Sequence, residues 1–156
     1  MCAMFVALSM VVTGCGDDDF PKEVVCPVEG FACDINSTVT LPSGQQYFVN
    51  SGVKSVHISD AGNSMVKLIF PSFVAEAEQL RTPITIGEIV VDSVYITQLS
   101  SDEFSLKKGE FTCPSTPYFI KGHSIQGTIL GGKLRVTMDY TPGNMPFGLT
   151  TTFTSK

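Results

Sequence analysis

Residues 133–140 alternate without a break. Leu134, Val136, Met138 and Tyr140 are apolar, and Lys133, Arg135, Thr137 and Asp139 between them are polar. Successive side chains of a strand point to opposite faces, so this run makes a strand with one dry and one wet face. The same signal recurs between turn residues along the chain. Ile35 to Leu41 is β-branched and stops at Pro42-Ser43-Gly44, and Gln46 to Asn50 runs to Ser51-Gly52. Val53 to Asp60 sets Val56 and Ile58 opposite His57, and a turn follows over 60–63. Met65 to Phe70 sets Val66, Leu68 and Phe70 against Met65, Lys67 and Ile69, which predicts a strand covered on both sides. Ile84 to Leu99 is extended with a bend at Gly87, and Phe104 to Phe111 and Tyr118 to Leu130 flank a Pro-Ser-Thr-Pro corner at 114–117. Gly131-Gly132 predicts a two-residue hairpin turn with Ile129 to Leu134 paired around it. After a turn at 142–144, Phe147, Leu149, Thr151 and Phe153 end the chain's pattern. Ala75 to Leu80 gathers the helix formers between Pro71 and Pro83, which limits any helix to about two turns.

Eight to ten short strands, spaced roughly ten residues apart, predict an all-β fold. The expected architecture is an antiparallel up-and-down β-barrel of about eight strands, with a β-sandwich as the alternative. Period two sends Val56, Ile58, Val66, Leu68, Phe70, Val136, Met138, Tyr140, Phe147, Leu149 and Phe153 inward. It leaves His57, Lys67, Lys133, Arg135 and Asp139 to water. The chain has eleven Phe and no Trp. An eight-stranded barrel has room for side chains or one small ligand, so these residues are either a packed core or the lining of an apolar pocket.

The first fourteen residues carry no charge, and eleven of them are hydrophobic. The run is shorter than the roughly 20 residues that a membrane-spanning helix needs. It is expected to be a signal peptide over 1–14. Val12-Thr13-Gly14-Cys15 resembles the lipobox of bacterial lipoproteins. That resemblance implies cleavage before Cys15 and acylation of its thiol and new amine, an anchor in outer-membrane lipid. Gly16-Asp17-Asp18-Asp19 resembles the acidic surface-export signal of Bacteroidetes lipoproteins and implies outward display. A signal peptide opens with basic residues, and none precedes Cys15, so the true start is expected upstream. Residues 15–29 then form an acidic tether, and 30–156 the barrel domain.

Besides Cys2 and Cys15, the cysteines are Cys26, Cys33 and Cys113. On an oxidising export route, two of these three are expected to pair; the spacing leaves open which. No CxxC or CxxH pair suggests zinc, and two isolated histidines make no metal site, so neither metal nor cofactor is expected. Ten basic and fifteen acidic residues give a net charge of −5. With no clustered basic face, a nucleic-acid partner is not expected.

Three patterns resemble catalytic motifs and fall short. Gly127 to Leu134 matches a phosphate-binding loop until its last place, where Leu134 replaces the metal-binding hydroxyl. Gly122-His123-Ser124-Ile125-Gln126 lacks the final glycine of a nucleophile elbow, and a Ser124–His57 pairing has no supporting spacing. Glu76, Glu78 and Glu88 have no partner at a defined separation. The chain is therefore not expected to be an enzyme.

Met65 to Phe73, then Ile86 to Val91, then Ile125 to Met138 with its G-x-I-x-G-G-K-L hairpin form a recurring order. It resembles the calycin-like (lipocalin-like) β-barrel lipoproteins of Bacteroidetes over about residues 45–156. The resemblance implies an up-and-down barrel of about eight strands that binds a lipid or other small apolar molecule. The expected function is thus a lipid-anchored, non-enzymatic binding protein of the bacterial outer membrane, displayed on the cell surface. The alternative is an adhesion or fimbrial-type assembly subunit with no small-molecule ligand.

Overall fold

A computed structural model describes residues 29–78 and 80–156. It is all-β among the described residues. The strands are β1 (Glu29–Thr40), β2 (Gln46–Gly62), β3 (Met65–Phe70), β4 (Phe73–Ala75), β5 (Ile84–Ile86) and β6 (Ile89–Gln98). They continue with β7 (Glu103–Lys108), β8 (Phe111–Cys113), β9 (Ile120–Leu130), β10 (Lys133–Pro142) and β11 (Gly148–Ser155). The order β10-β11-β1-β2-β3-β6-β7-β9, closed by β9 against β10, is an eight-stranded antiparallel barrel. The barrel, not the sandwich, is the fold.

Two interruptions explain the remaining strands. Pro71-Ser72 breaks β3 from β4, and Gly87-Glu88 breaks β5 from β6, so a small β4–β5 hairpin bends away from the ring. Side chains of β2 hold it in place, Lys54 Nζ donating to Ser72 O at 2.6 Å and Ser51 Oγ to Val74 O at 2.8 Å. Among the described residues of 75–80, where the sequence allowed a helix of at most two turns, no helix forms. Ala75 is a fully buried strand residue, because the dry hairpin face outweighs the weak helix preference of a segment flanked by prolines. Gly109-Glu110 likewise separates β8 from β7, and both pair with β9.

Local geometry follows from the turn residues. Gly131 and Gly132 have φ of 58° and 78°, the positive pair that a type I′ hairpin demands, with Leu134 opposite Ile129. Three register shifts reset the inward parity. In β2 the shift lies opposite Ile35, between Asn50 and Val53, so Val49 points inward before it and Val56 and Ile58 after it. In β6 it lies at Asp92-Ser93, and in β9 around His123.

Up-and-down connectivity puts alternate turns at opposite ends. The tight turns at 63–64 and 131–132 share one end with Glu29 and Ser155. The longer connections at 76–83 and 114–119 lie at the other. Inside, Phe70 and Phe153 rings pack at 4.8 Å, and Phe73 meets Phe153 edge-on at 6.1 Å. The Phe111 ring lies over Gly122, where an added Cβ would overlap it. Gly122→Ala must displace that ring or the strand, at a cost of about 1–3 kcal/mol. A lowered urea midpoint with an unchanged m-value is the expected result.

Candidate functional site

The eleven residues expected inside fall as follows. Val56, Val66, Leu68, Phe70, Val136, Met138, Tyr140 and Phe153 are fully buried, Ile58 and Leu149 are buried, and Phe147 is half-buried against the same core. Lys133, Arg135 and His57 are exposed, and Lys67 and Asp139 half-buried. Met65 and Ile69 are half-buried on the outer side of β3. The interior is shared with Phe31, Ile35, Phe73, Ile86, Ile89, Ile120 and Ile125. With ring packed on ring, these residues form a core.

That core holds a short polar chain. Ser37 and Thr151 are buried, and their hydroxyls lie 2.9 Å apart. Thr151 Oγ1 is also 2.9 Å from the Tyr140 hydroxyl. A threonine hydroxyl has one proton and two lone pairs, so Thr151 can serve both neighbours, and each of the three hydroxyls has a partner. Burial raises the Tyr140 hydroxyl far above its ordinary value, with the Thr151 hydrogen bond opposing. The phenol therefore stays neutral at physiological pH.

Cys33 and Cys113 are buried free thiols. Cys33 Sγ donates to Phe31 O and Cys113 Sγ to Pro114 O, each at 3.4 Å. The two are not joined to each other. Cys26 lies outside the described residues, as do Cys15, the signal peptide and the acidic segment. Burial pushes the Cys33 thiol up to about 11, opposed by a hydrogen bond from the Val56 backbone and helped by the Asp34 charge.

The catalytic near-matches are not assembled. Gly127 to Leu134 is a hairpin between β9 and β10, with no helix to receive a phosphate. Ser124 lies on β9 and His57 on β2, with β10, β11 and β1 between them. Ser124 is instead opposite Asp139, whose carboxylate accepts a hydrogen bond from Thr150 Oγ1. His57 covers Gly30 across the strand pair, and His123 Nε2 lies 3.0 Å from Thr141 Oγ1. Glu76, Glu78 and Glu88 are exposed. Among the described residues no three His, Cys, Asp or Glu side chains group to hold a metal.

Open space lies on the outer wall. One groove, of about 560 Å³, crosses β7, β9 and β10 and is lined by Ser105, Leu106, Lys107, Gln126, Gly127, Thr128, Arg135 and Thr137. A second, of about 490 Å³, lies where the first half of β6 and β8 run side by side without pairing. Smaller ones lie over Gly122 and along the β1–β2 pair. None of these is lined by any of the eleven residues. Sequence reading missed the first groove because its polar residues come from three strands, and only register shows that they adjoin.

No protein-family model and no curated protein matches the chain. Among solved structures, it is similar to the crystal structure of a "putative outer membrane protein" from Bacteroides fragilis. The TM-score is 0.65 and the identity 20%, over 83% of this chain. The chain spans 50% of that protein's length. At that identity the likeness is one of fold. The closed barrel that the calycin-like resemblance implied is present, while the family itself gains no match.

The Cys33 thiol titrates from its ordinary value of 9.0 when unfolded and at about 11 when folded. The folded chain keeps a proton that the unfolded chain has lost. Its contribution to stability is complete below about pH 9 and disappears as pH rises toward 11. Urea midpoints are expected to fall across that window, with Tyr140 adding to the loss at higher pH. A Cys33→Ala chain should show a shallower fall.

Proposed function

We propose that this chain is a lipid-anchored lipoprotein of a bacterial outer membrane, displayed outward, and a non-enzymatic binding module that meets its ligand on its outer wall. The observation that carries this reading is the polarity of the barrel. A bilayer-spanning barrel has an apolar outer band and a polar interior. This one is the reverse, with Phe70, Phe153 and Met138 inside and Lys107, Gln126, Arg135 and Asp92 outside. A barrel with such a wet wall needs a separate anchor to stay at a membrane. Cys15 in its lipobox-like setting is the candidate, and the acidic run behind it favours display. The structural neighbour's description as an outer membrane protein agrees with that address.

Topology gives the display a direction. The chain enters at Glu29, on the end with the tight turns, so the longer connections at 76–83 and 114–119 point away from the anchor. The aromatic packing inside the barrel supports ligand contact on the outside instead. A lipid or other apolar molecule within the barrel would have to displace Phe70, Phe73 and Phe153. Assembly by strand exchange draws no support from a closed ring, which offers a partner no full-length edge.

Two measurements test this. Cys15→Ser should abolish palmitate incorporation and move the protein from the detergent to the aqueous phase; equal partitioning of both forms would remove the anchor. The fluorescent apolar probe 1-N-phenylnaphthylamine should show no saturable binding to the native monomer. Stoichiometric uptake would restore a ligand inside the barrel.

A further inference from the structure

The groove across β7, β9 and β10 is built from two in-register rows. Ser105, Thr128 and Arg135 are direct cross-strand partners, and Lys107, Gln126 and Thr137 are partners one step along the strands. Neighbouring strands lie about 4.8 Å apart and successive outward residues about 6.8 Å apart along a strand. The Lys107 and Arg135 backbones therefore stand about 12 Å apart on opposite sides of β9. Both side chains are long enough to reach a ligand lying between them.

Charge and chemistry narrow the ligand. The chain as a whole is acidic, yet no carboxylate lines this groove. Among the described residues the ion pairs are Lys67 with Asp92 and Lys156 with Asp34. Asp34 shares the first row through Thr154, and Lys156 holds it at 3.1 Å, so it does not neutralise Arg135. Between the cations lie hydroxyls and an amide, which both donate and accept. Tyr95 extends the second row beyond Lys107, with 61% of its surface exposed. A flat, exposed aromatic ring suits the apolar face of a sugar ring.

We propose that this groove binds an acidic oligosaccharide. Arg135 and Lys107 pair with its carboxylates, Ser105, Thr128, Thr137 and Gln126 hydrogen-bond its hydroxyls, and Tyr95 stacks on a neighbouring unit. Arg suits this role because its planar fork matches a carboxylate. A free glycan fits better than a bilayer headgroup. The groove is on the side wall and not at an end of the barrel. The inference rests on the reading that ligand contact is external, but it does not need the lipid anchor.

The test is calorimetric titration of the full chain in detergent with short oligogalacturonates. Neutral maltooligosaccharides, polyglutamate and glycerophosphoglycerol, the soluble headgroup of phosphatidylglycerol, are the comparators. Saturable binding of the oligogalacturonate, weakened by salt and stronger than to every comparator, is the expected result. The double variant Lys107→Gln with Arg135→Gln should lose affinity about tenfold or more, the loss of charge-assisted hydrogen bonds. Tyr95→Ala should weaken the oligosaccharide and leave residual charge attraction. All three positions are on the outer wall, so unchanged melting midpoints should accompany the losses. Absence of binding, or undiminished binding by the double variant, overturns the site. Polyglutamate binding as tightly overturns the sugar assignment, and preference for glycerophosphoglycerol overturns the free-glycan assignment. Each outcome reads the same whether or not Cys15 is acylated, so failure here is distinct from failure of the anchor.

Discussion

The barrel depends on the pairing of its first strand with its last. Cys33 to Thr40 of β1 run antiparallel to Ser155 to Gly148 of β11, across nearly the whole length of the domain. Most other neighbours in the ring are joined by hairpins and find each other locally. Without the β1–β11 seam the meander would be an open sheet with two raw edges and one apolar face in water. The seam is also where the core is polar. Ser37 is directly opposite Thr151, and their hydroxyl bond continues to Tyr140 on β10. A slip of register would bury these hydroxyls without partners, at a cost of about 1–3 kcal/mol each. Apolar alternation places these strands face to face, and the hydroxyl chain selects one register among those that alternation allows.

How much of this could be read from the residues alone depends on how far each feature is local. Val136, Met138, Tyr140 and their polar partners alternate strictly, so the face of β10 was plain, and so was the glycine turn before it. The start of β1 was not. Glu29 read as tether and Gly30 to Asp34 as no strand, yet this segment pairs with Val53 to Ile58, 19 to 29 residues further along the chain. The parity changes in β2 and β6 come from bulges at 51–52 and 92–93, which no periodicity announces. Thr151 fell in line with Leu149 and Phe153, and Ser37 two places after Ile35, but that two hydroxyls are buried together is not written in either strand, and only the partner across the seam makes that burial tolerable. Ala75 was drawn toward a helix by composition and toward the core by the dry face of the β4–β5 hairpin.

The same non-locality hid the groove. Arg135 read simply as the polar neighbour of Val136, and nothing singled out Lys107. Their relation exists only because Thr128 and Gln126 lie between them in register. Functional residues on a barrel wall carry no spacing signature, since the strands that bring them together are joined by turns of varied length. Motif logic, which found a phosphate loop and a nucleophile elbow in outline, responds to residues adjacent in sequence. Here those outlines were a hairpin and a bulge.

Convexity raises a physical question about any site on an outer wall, because outward side chains there diverge. Gly127 supplies the answer at this groove. Its inward position carries no side chain, and a Cβ there would lie 2.7 Å from Arg135 O and 2.9 Å from the Val136 side chain. A side chain at this position would push β9 and β10 apart, so glycine keeps the two strands close where Thr128 and Gln126 lie between Arg135 and Lys107.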